Sequence, residues 1–283
     1  TTSNKIVTLD VDGNIVIKNL LNNLQTIKRY KLNYKLKSNV VFQFDKITDS
    51  VDIGFLNKSL EKVCYLSDKN QIKQCNIHLE KVYNNTPLNN FEQTKFKDLL
   101  ENRFPKYEEM FDKASEETSI DSELLAAISF QESQWDPRAK SNMGVRGMMM
   151  VTLDTAAIVG VEKRLNPEQN ITGGAKYLAI LQDRNVYGKT TADQLSISLA
   201  KYNLGPTNII NIAKTIGKDP SEITWFDIEN KLKNITGEDV NLIDINGYSR
   251  GQQAIDYVHR VKSYYKLMAA HACTDPKDQL TIF

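Results

Sequence analysis

The pattern of hydrophobic and polar positions changes along the chain. Over residues 1–88, stretches with strand-like alternation are mixed with stretches that have helical spacing. Short stretches with the apolar–polar alternation typical of strands occur over residues 5–16, 40–44 and 50–55. Apolar positions with helical spacing occur over residues 17–30 and 56–63. We therefore predict a small α/β module over residues 1–88.

Beyond a polar, proline-containing linker at residues 84–90, almost every apolar run has helical spacing. Helices are predicted over residues 91–102, 107–117, 122–132, 167–181, 192–202, 208–216, 225–232 and 250–270, and a loop over 238–246. Caps mark several starts, such as Asn166 before Pro167, and Thr224. The prediction is an α+β protein in which a mainly α-helical domain, residues 89–283, follows the α/β module.

The composition reduces the number of functions that the sequence could have. The 283 residues are 41% hydrophobic and 25% charged, with a formal net charge of +1. A balanced charge gives no reason to expect a nucleic-acid partner, and no apolar run approaches the roughly 20 residues of a membrane helix. The polar residues that follow Thr1 do not predict a signal peptide at this position.

Cysteine and histidine provide no metal framework. The three histidines are scattered, no Cys-x-x-Cys motif occurs, and we expect neither a metal nor a cofactor. We expect a disulfide between Cys64 and Cys75 as much as two reduced cysteines. If the disulfide forms, Cys273 has no cysteine left to pair with. Asn170 and Asn234 begin glycosylation-type triplets, which we interpret as chance matches.

The stretch around Glu132 carries the candidate chemistry. Glu132 follows Leu124 and Ile128 at steps of four in the predicted helix 122–132, so its carboxyl group points towards the core. Asp121 is the predicted N-cap, and Asp136 with Pro137 ends the helix. A core-facing carboxylate is either paired or desolvated with a raised pKa.

Two interpretations of Glu132 follow. In the first, it is a structural residue held by backbone amides or by Arg138 or Arg146. In the second, it is a general acid at the floor of a cleft. Gly144, Gly147 and three methionines come next, which indicates a sharp turn that brings apolar side chains back towards the helix and favours the acid.

Four motifs in order resemble those of the SLT-type lytic transglycosylases, which have a lysozyme-like fold. The first is the Glu-Ser pair with its aromatic-Asp-Pro, residues 132–137; the second contains Ser141, Gly144 and Gly147. The third is Ala200, Tyr202, Asn203, Gly205 and Pro206, and the fourth combines residues 247–251 with Tyr257 and Val258. Gly-Met-Met-Met at 147–150, in place of Gly-Leu-Met-Gln, resembles the F subtype of the membrane-bound lytic murein transglycosylases. Lys201 departs from the small residue usual at its position.

The resemblance implies a role for each matched residue. Glu132 is the expected acid/base, Ser141 and Tyr257 orient the acetamido group or the sugar, and Met148 and Met149 line an apolar wall. Tyr202 and Asn203 hold the glycan and brace Glu132, whereas Tyr248 and Arg250 belong to a groove wall or anchor a loop. Structural alternatives stay open: a core position for the methionines, a locally bonded Tyr202, and a helix C-cap for Asn203. Trp135, Trp225 and Tyr177 either stack on sugars or, as we favour, pack in the core.

Glycoside hydrolysis normally needs two carboxylates, and Glu132 has no evident second partner. Asp136 and Asp154 are adequately explained as a helix stop and a helix cap. In the resembled family, the acetamido group of N-acetylmuramic acid replaces the second carboxylate. The expected reaction therefore cleaves the MurNAc–GlcNAc β-1,4 bond without water and leaves a 1,6-anhydro end.

Two alternatives to a transglycosylase remain. One is a goose-type lysozyme-like hydrolase with the same glutamate; the other is a cell-wall peptide sensor with weak catalysis. The expected partners are peptidoglycan glycan strands, with muropeptides as candidate ligands of residues 1–88, which faintly resemble part of a periplasmic solute-binding lobe. The resemblance implies a periplasmic protein at the outer membrane, held by a leader or anchor that this chain does not contain.

Overall fold

The computed structural model describes two sets of residues. Side chains and backbone are described for residues 87–141, 144–234 and 250–272, except the side chains of Ala270 and Ala272, and backbone alone for strands within 5–67 and at 281–282. The chain divides into two compact units, Pro87–Tyr265 and a second that joins Thr1–Thr86 to Lys266–Phe283. The inclusion of the carboxyl-terminal segment in the amino-terminal unit was not indicated by the sequence.

Within residues 1–86 and 273–283, the elements that the structure describes are strands. They are β1 (Lys5–Leu9), β2 (Asn14–Asn19), β3 (Thr26–Lys31), β4 (Asn39–Asp45), β5 (Ser50–Leu56), β6 (Lys62–Ser67) and β7 (Thr281–Ile282). One antiparallel sheet has the order β1-β2-β3-β7, and the other has the order β4-β5-β6. The strands predicted over 40–44 and 50–55 are confirmed as β4 and β5.

The helix predicted over residues 17–30 is wrong wherever the structure describes this segment. β2 continues to Asn19, and β3 begins at Thr26, with Val16 opposite Arg29 in an antiparallel ladder. Leucines with helical spacing misled the prediction because pairing with a neighbouring strand overrides a short local pattern. The second predicted helix, residues 56–63, is also wrong at its described ends, because Leu56 ends β5 and Lys62 begins β6. Residues 57–61, Cys75 and Cys273 lie outside the described residues, so a disulfide and a helix over 57–61 stay predictions.

The unit Pro87–Tyr265 and its continuation to residue 272 are mainly helical. The helices are α1 (Asn90–Asn102), α2 (Glu108–Thr118), α3 (Ser122–Ser133), α4 (Leu153–Val159), α5 (Pro167–Asp183), α6 (Thr191–Leu204), α7 (Pro206–Lys214), α8 (Trp225–Lys233) and α9 (Arg250–Ala272). The predicted caps Asn166 and Thr224 accept hydrogen bonds from Gln169 N and Asp227 N. No described helix is long and apolar enough to span a bilayer.

The core is built around α3, whose residues Leu124–Phe130 are buried on every side. A helix that is apolar all round must lie inside the unit, which brings its last turn, with Glu132, to the edge of the core. Trp135 follows the left-handed C-cap at Gln134 and is fully buried, with its indole N–H donating to Ala126 O at 2.9 Å. The preferred core position of Trp135 is thus what the structure has. Asp121 is the N-cap residue, but its carboxylate accepts a hydrogen bond from Tyr265 rather than from the helix.

Helix α5 lies very close to the turn that follows α3. A Cβ atom added at Gly174 would lie 2.5 Å from Met149 Cβ and 2.8 Å from Met149 Cγ. Only glycine permits this approach, although glycine lowers the helix propensity of α5.

Gly174→Ala is therefore expected to destabilise the protein by about 1–3 kcal/mol, because the overlap with Met149 exceeds the gain in helix propensity. Urea unfolding measures the change. Thr172→Ala, at a partly exposed position of the same helix, should stay within about 0.5 kcal/mol of the parent. A Gly174→Ala variant as stable as the parent would contradict this close packing.

Candidate active site

Glu132 lies on the last turn of α3, with part of its side chain open to solvent. Surrounding protein nevertheless raises its pKa from 4.5 to about 7, because burial disfavours the charged carboxylate. Arg138 and Arg146 are exposed, and neither contributes to this shift. The structural interpretation with an arginine partner is therefore wrong for this structure, and Glu132 is half protonated near neutral pH.

Tyr257 on α9 is the hydrogen-bond partner of Glu132. Its hydroxyl donates to Glu132 Oε1 at 2.8 Å, although 125 positions separate the two residues in the sequence. This bond stabilises the charged carboxylate and lowers its pKa, but desolvation is the larger effect. The sequence indicated a sugar-orienting role for Tyr257; the structure gives it a direct contact with the acid, and contact with sugar stays a prediction.

Tyr202 on α6 lies close enough to Glu132 to be influenced by its charge. Burial and the negative charge of Glu132 raise the pKa of Tyr202 well above its usual range. Its hydroxyl donates to Met149 O at 2.8 Å, and its ring lies 5.6 Å from that of Tyr177, centroid to centroid. Tyr202 and Tyr257 therefore lie near the acid, with Tyr177 against the Tyr202 ring, and all three tyrosines remain neutral at physiological pH.

The methionine turn, residues 147–150, passes beside the end of α3. Met148 and Met149 have no exposed surface, so their side chains belong to the core rather than to an accessible wall. Met148 O accepts hydrogen bonds from Ser129 Oγ at 3.1 Å and Ser133 Oγ at 2.8 Å. The turn thus contributes main-chain atoms to the surroundings of Glu132, and the last methionine, Met150, is partly exposed.

Asn170 on α5 fixes the methionine turn and was missed by the sequence analysis. It is fully buried, accepts from Met149 N at 2.7 Å, and donates to Arg146 O at 3.0 Å and Arg164 O at 2.8 Å. Its burial in a helix excludes the glycosylation-type interpretation of its triplet. The signal that could have found it is its place on the apolar stripe shared with Gly174 and Leu178, at steps of four.

The remaining predicted residues are less directly connected to Glu132. Ser141 is half-buried, with its main-chain N–H donating to Val145 O at 3.1 Å. Asn203 is exposed on α6, and Gly205 rather than Asn203 is the C-cap of that helix. Arg250 is the first residue of α9 and is partly exposed, whereas Tyr248 lies outside the described residues. Their sugar-binding roles stay predictions.

No second carboxylate among the described residues influences the pKa of Glu132. Asp136 Oδ1 accepts from Arg138 N at 2.9 Å in the turn after α3, and Asp154 lies exposed in the first turn of α4. Residues 87–141, 144–234 and 250–272 contain no cluster of three His, Cys, Asp or Glu side chains suited to a metal ion. The site therefore offers one carboxyl group, able to donate a proton and later accept one, enclosed by neutral hydroxyls.

The helical unit thus places a desolvated glutamate at the end of a helix, an arrangement suited to a general acid or base. Residues 109–224 match the family model described as Transglycosylase SLT domain. Over these residues the family resemblance seen in the motifs is confirmed.

Several relatives share one name. A membrane-bound lytic murein transglycosylase F 2 of Alkalilimnicola ehrlichii is 39% identical over 168 residues, or 58% of this chain and 37% of that protein. The Pseudomonas fluorescens protein named membrane-bound lytic murein transglycosylase F is 31% identical over 240 residues, or 80% of this chain and 49% of that protein. This chain spans roughly a third to a half of the length of the curated relatives that it matches. Among solved structures, the lytic transglycosylase Slt of Pseudomonas aeruginosa is similar with a TM-score of 0.43 and 20% identity, over 64% of this chain and 27% of that one.

Tyr257→Phe is expected to raise the pKa of Glu132 above 7 by about one unit, because the variant loses a hydrogen bond that favours the carboxylate. A titration of the glutamate side-chain carbonyls by ¹³C NMR measures it. Tyr264→Phe removes another buried hydroxyl from α9 and should leave the pKa of Glu132 unchanged. An unchanged or lowered value in Tyr257→Phe would refute the proposed balance.

Glu132→Gln is expected to stabilise the fold at pH 8 by about 1–3 kcal/mol. The folded carboxyl group keeps its proton up to about pH 7, whereas an unfolded one loses it near 4.5. The folded state therefore binds more protons between these values, and the stability of the parent falls as pH rises through this window. Urea unfolding should show the gain at pH 8 and none near pH 4, where both states are protonated. Equal stability of the two proteins at pH 8 would contradict the raised pKa, and the exposed Glu101→Gln is the control.

Proposed function

We propose that this protein is a peptidoglycan lytic transglycosylase with a lysozyme-like catalytic domain. It cleaves the β-1,4 bond between N-acetylmuramic acid and N-acetylglucosamine and leaves a 1,6-anhydromuramoyl end. The observation that carries the proposal is a lone glutamate whose pKa is raised to about 7 by burial, with no second carboxylate acting on it in the described residues. The SLT match over residues 109–224 and the names of the relatives support the same substrate.

In the first step, protonated Glu132 gives its proton to the glycosidic oxygen as the bond from that oxygen to the anomeric carbon breaks. The acetamido oxygen of the muramoyl residue attacks the anomeric carbon from the opposite face and forms a cyclic, positively charged oxazolinium. A pKa near 7 keeps a large fraction of Glu132 in the acid form needed here. Tyr257 stabilises the carboxylate that the proton transfer leaves behind.

In the second step, the Glu132 carboxylate takes the proton of the muramoyl 6-hydroxyl group. The oxygen of that group then bonds to the anomeric carbon, the bond to the acetamido oxygen breaks, and Glu132 is again protonated. No water is consumed. The tyrosine side chains beside Glu132 support this outcome, since they reduce the room for an attacking water.

The activity test compares the parent with Glu132→Gln on purified peptidoglycan. The parent should release muropeptides with anhydromuramoyl ends. Mass spectrometry distinguishes these from reducing muramoyl ends because they are lighter by the mass of one water molecule. Glu132→Gln, which cannot donate or accept the proton, should lose at least about 10³-fold in rate, while Glu101→Gln retains the parent rate. Reducing ends would establish the hydrolase alternative, and unchanged lysis by Glu132→Gln would refute the catalytic assignment.

The proposed location is the bacterial cell envelope. The names of the relatives describe them as membrane-bound and as lytic murein transglycosylases. A protein in the envelope has access to peptidoglycan. We propose the periplasmic face of the outer membrane and glycan strands as the partner. A muropeptide-binding role for residues 1–88 remains part of this proposal rather than a property of the described structure.

A further inference from the structure

One peptide group in the methionine turn connects α5 to the end of α3. Its carbonyl, Met148 O, accepts from Ser133 Oγ at 2.8 Å, and its N–H, that of Met149, donates to Asn170 Oδ1 at 2.7 Å. A peptide group is planar and rigid, so the two ends move together. Ser133 is the residue next to Glu132 on α3. A fixed chain of contacts therefore runs from Asn170 through one peptide plane to the neighbour of the acid.

The next carbonyl of the turn provides a second connection. Met149 O accepts the Tyr202 hydroxyl at 2.8 Å, and the Tyr202 ring lies close enough to Glu132 for the carboxylate charge to raise its pKa. Asn170 thus fixes the peptide group between Met148 and Met149. The carbonyl of that group bonds to Ser133, and the next carbonyl along the chain bonds to Tyr202. The groups that surround Glu132 from the other helices are Tyr202 with Tyr177 behind it, and Tyr257.

Asn170 is itself held without freedom to adjust. Its amide nitrogen donates to Arg146 O and Arg164 O at 3.0 and 2.8 Å, and its side chain has no exposed surface. The backbone at Gly147 lies so close that an added Cβ would be 2.5 Å from Asn170 Nδ2 and 2.2 Å from Arg164 O. All three hydrogen bonds of the buried amide are satisfied, which makes it a rigid support rather than a mobile contact.

We infer that Asn170 is a positioning residue for Glu132: by holding the peptide between Met148 and Met149, it fixes Ser133 and Tyr202 around the acid. The inference deepens the proposed function, on which its kinetic consequence depends, but the placement of the carboxyl group can be measured without any activity. Loss of the contact lets the turn shift and water reach Glu132, which lowers the pKa of the carboxyl group towards its ordinary range.

The experiment is a ¹³C NMR titration of Glu132 in the parent, Asn170→Ala and Ser133→Ala. We expect both variants to lower the pKa of Glu132 by about one unit. Asn166→Ala is the matched control: it makes the same substitution at the N-cap of the same helix and removes the hydrogen bond that Asn166 accepts from Gln169 N, away from the methionine turn. It should lower stability and leave the pKa of Glu132 unchanged.

A folded Asn170→Ala protein with an unchanged pKa at Glu132, or an equal fall in Asn166→Ala, overturns the inference. Ser133→Ala keeps the asparagine and decides the question if Asn170→Ala does not fold, because an unchanged pKa there also breaks the chain of contacts. With activity measured in parallel, kcat should fall about 10–100-fold in Asn170→Ala, with a smaller change in KM. If the pKa of Glu132 changes as expected but the parent releases no anhydro product, the proposed function is refuted and the positioning role stands.

Discussion

The candidate active site depends on the enclosure of one carboxyl group. Burial acts on Glu132 against a hydrogen bond from Tyr257, and the two have opposite signs. Desolvation is the larger, so the carboxyl group holds its proton to about pH 7. The tyrosine keeps the opposing charged form accessible, which a residue that must give up a proton and then take one back requires. An apolar enclosure alone would hold the carboxyl group in its protonated form, whereas a solvated site would leave it ionised at neutral pH.

Such a group stays in place only if the polar groups around it have hydrogen-bond partners of their own. The carbonyls of Met148 and Met149 meet hydroxyls, and the Asn170 amide bonds to three main-chain groups. These bonds stabilise a turn with positive φ angles at Gly147 and Met150. The buried Lys201 shows the same rule away from the site: burial lowers its pKa, and its ammonium group donates to Asn185 Oδ1 at 2.7 Å.

Local sequence signals predicted part of this arrangement. The caps at Asn166 and Thr224, the stop after α3 and the inward direction of Glu132 all depend on residues within a few positions of one another, and the structure has each of them. The contacts that define the site do not: Tyr257 reaches Glu132 across 125 positions, and Tyr202 reaches Met149 across 53. Spacing cannot tell which tyrosine hydroxyl meets which acceptor. The same limit explains the mistaken helix over residues 17–30, since strand pairing is also decided between distant segments.

The long-range origin of the site has a consequence for how it works. Glu132, Tyr202 and Tyr257 come from three different helices, so the raised pKa exists only while α3, α6 and α9 are packed together. An opening of α9 would remove the hydrogen bond and admit water at once, and the carboxyl group would then ionise at its ordinary pKa. The acid form is therefore a property of the assembled unit and not of the helix that carries the glutamate. Catalytic competence and tertiary packing are coupled through the hydration of a single side chain.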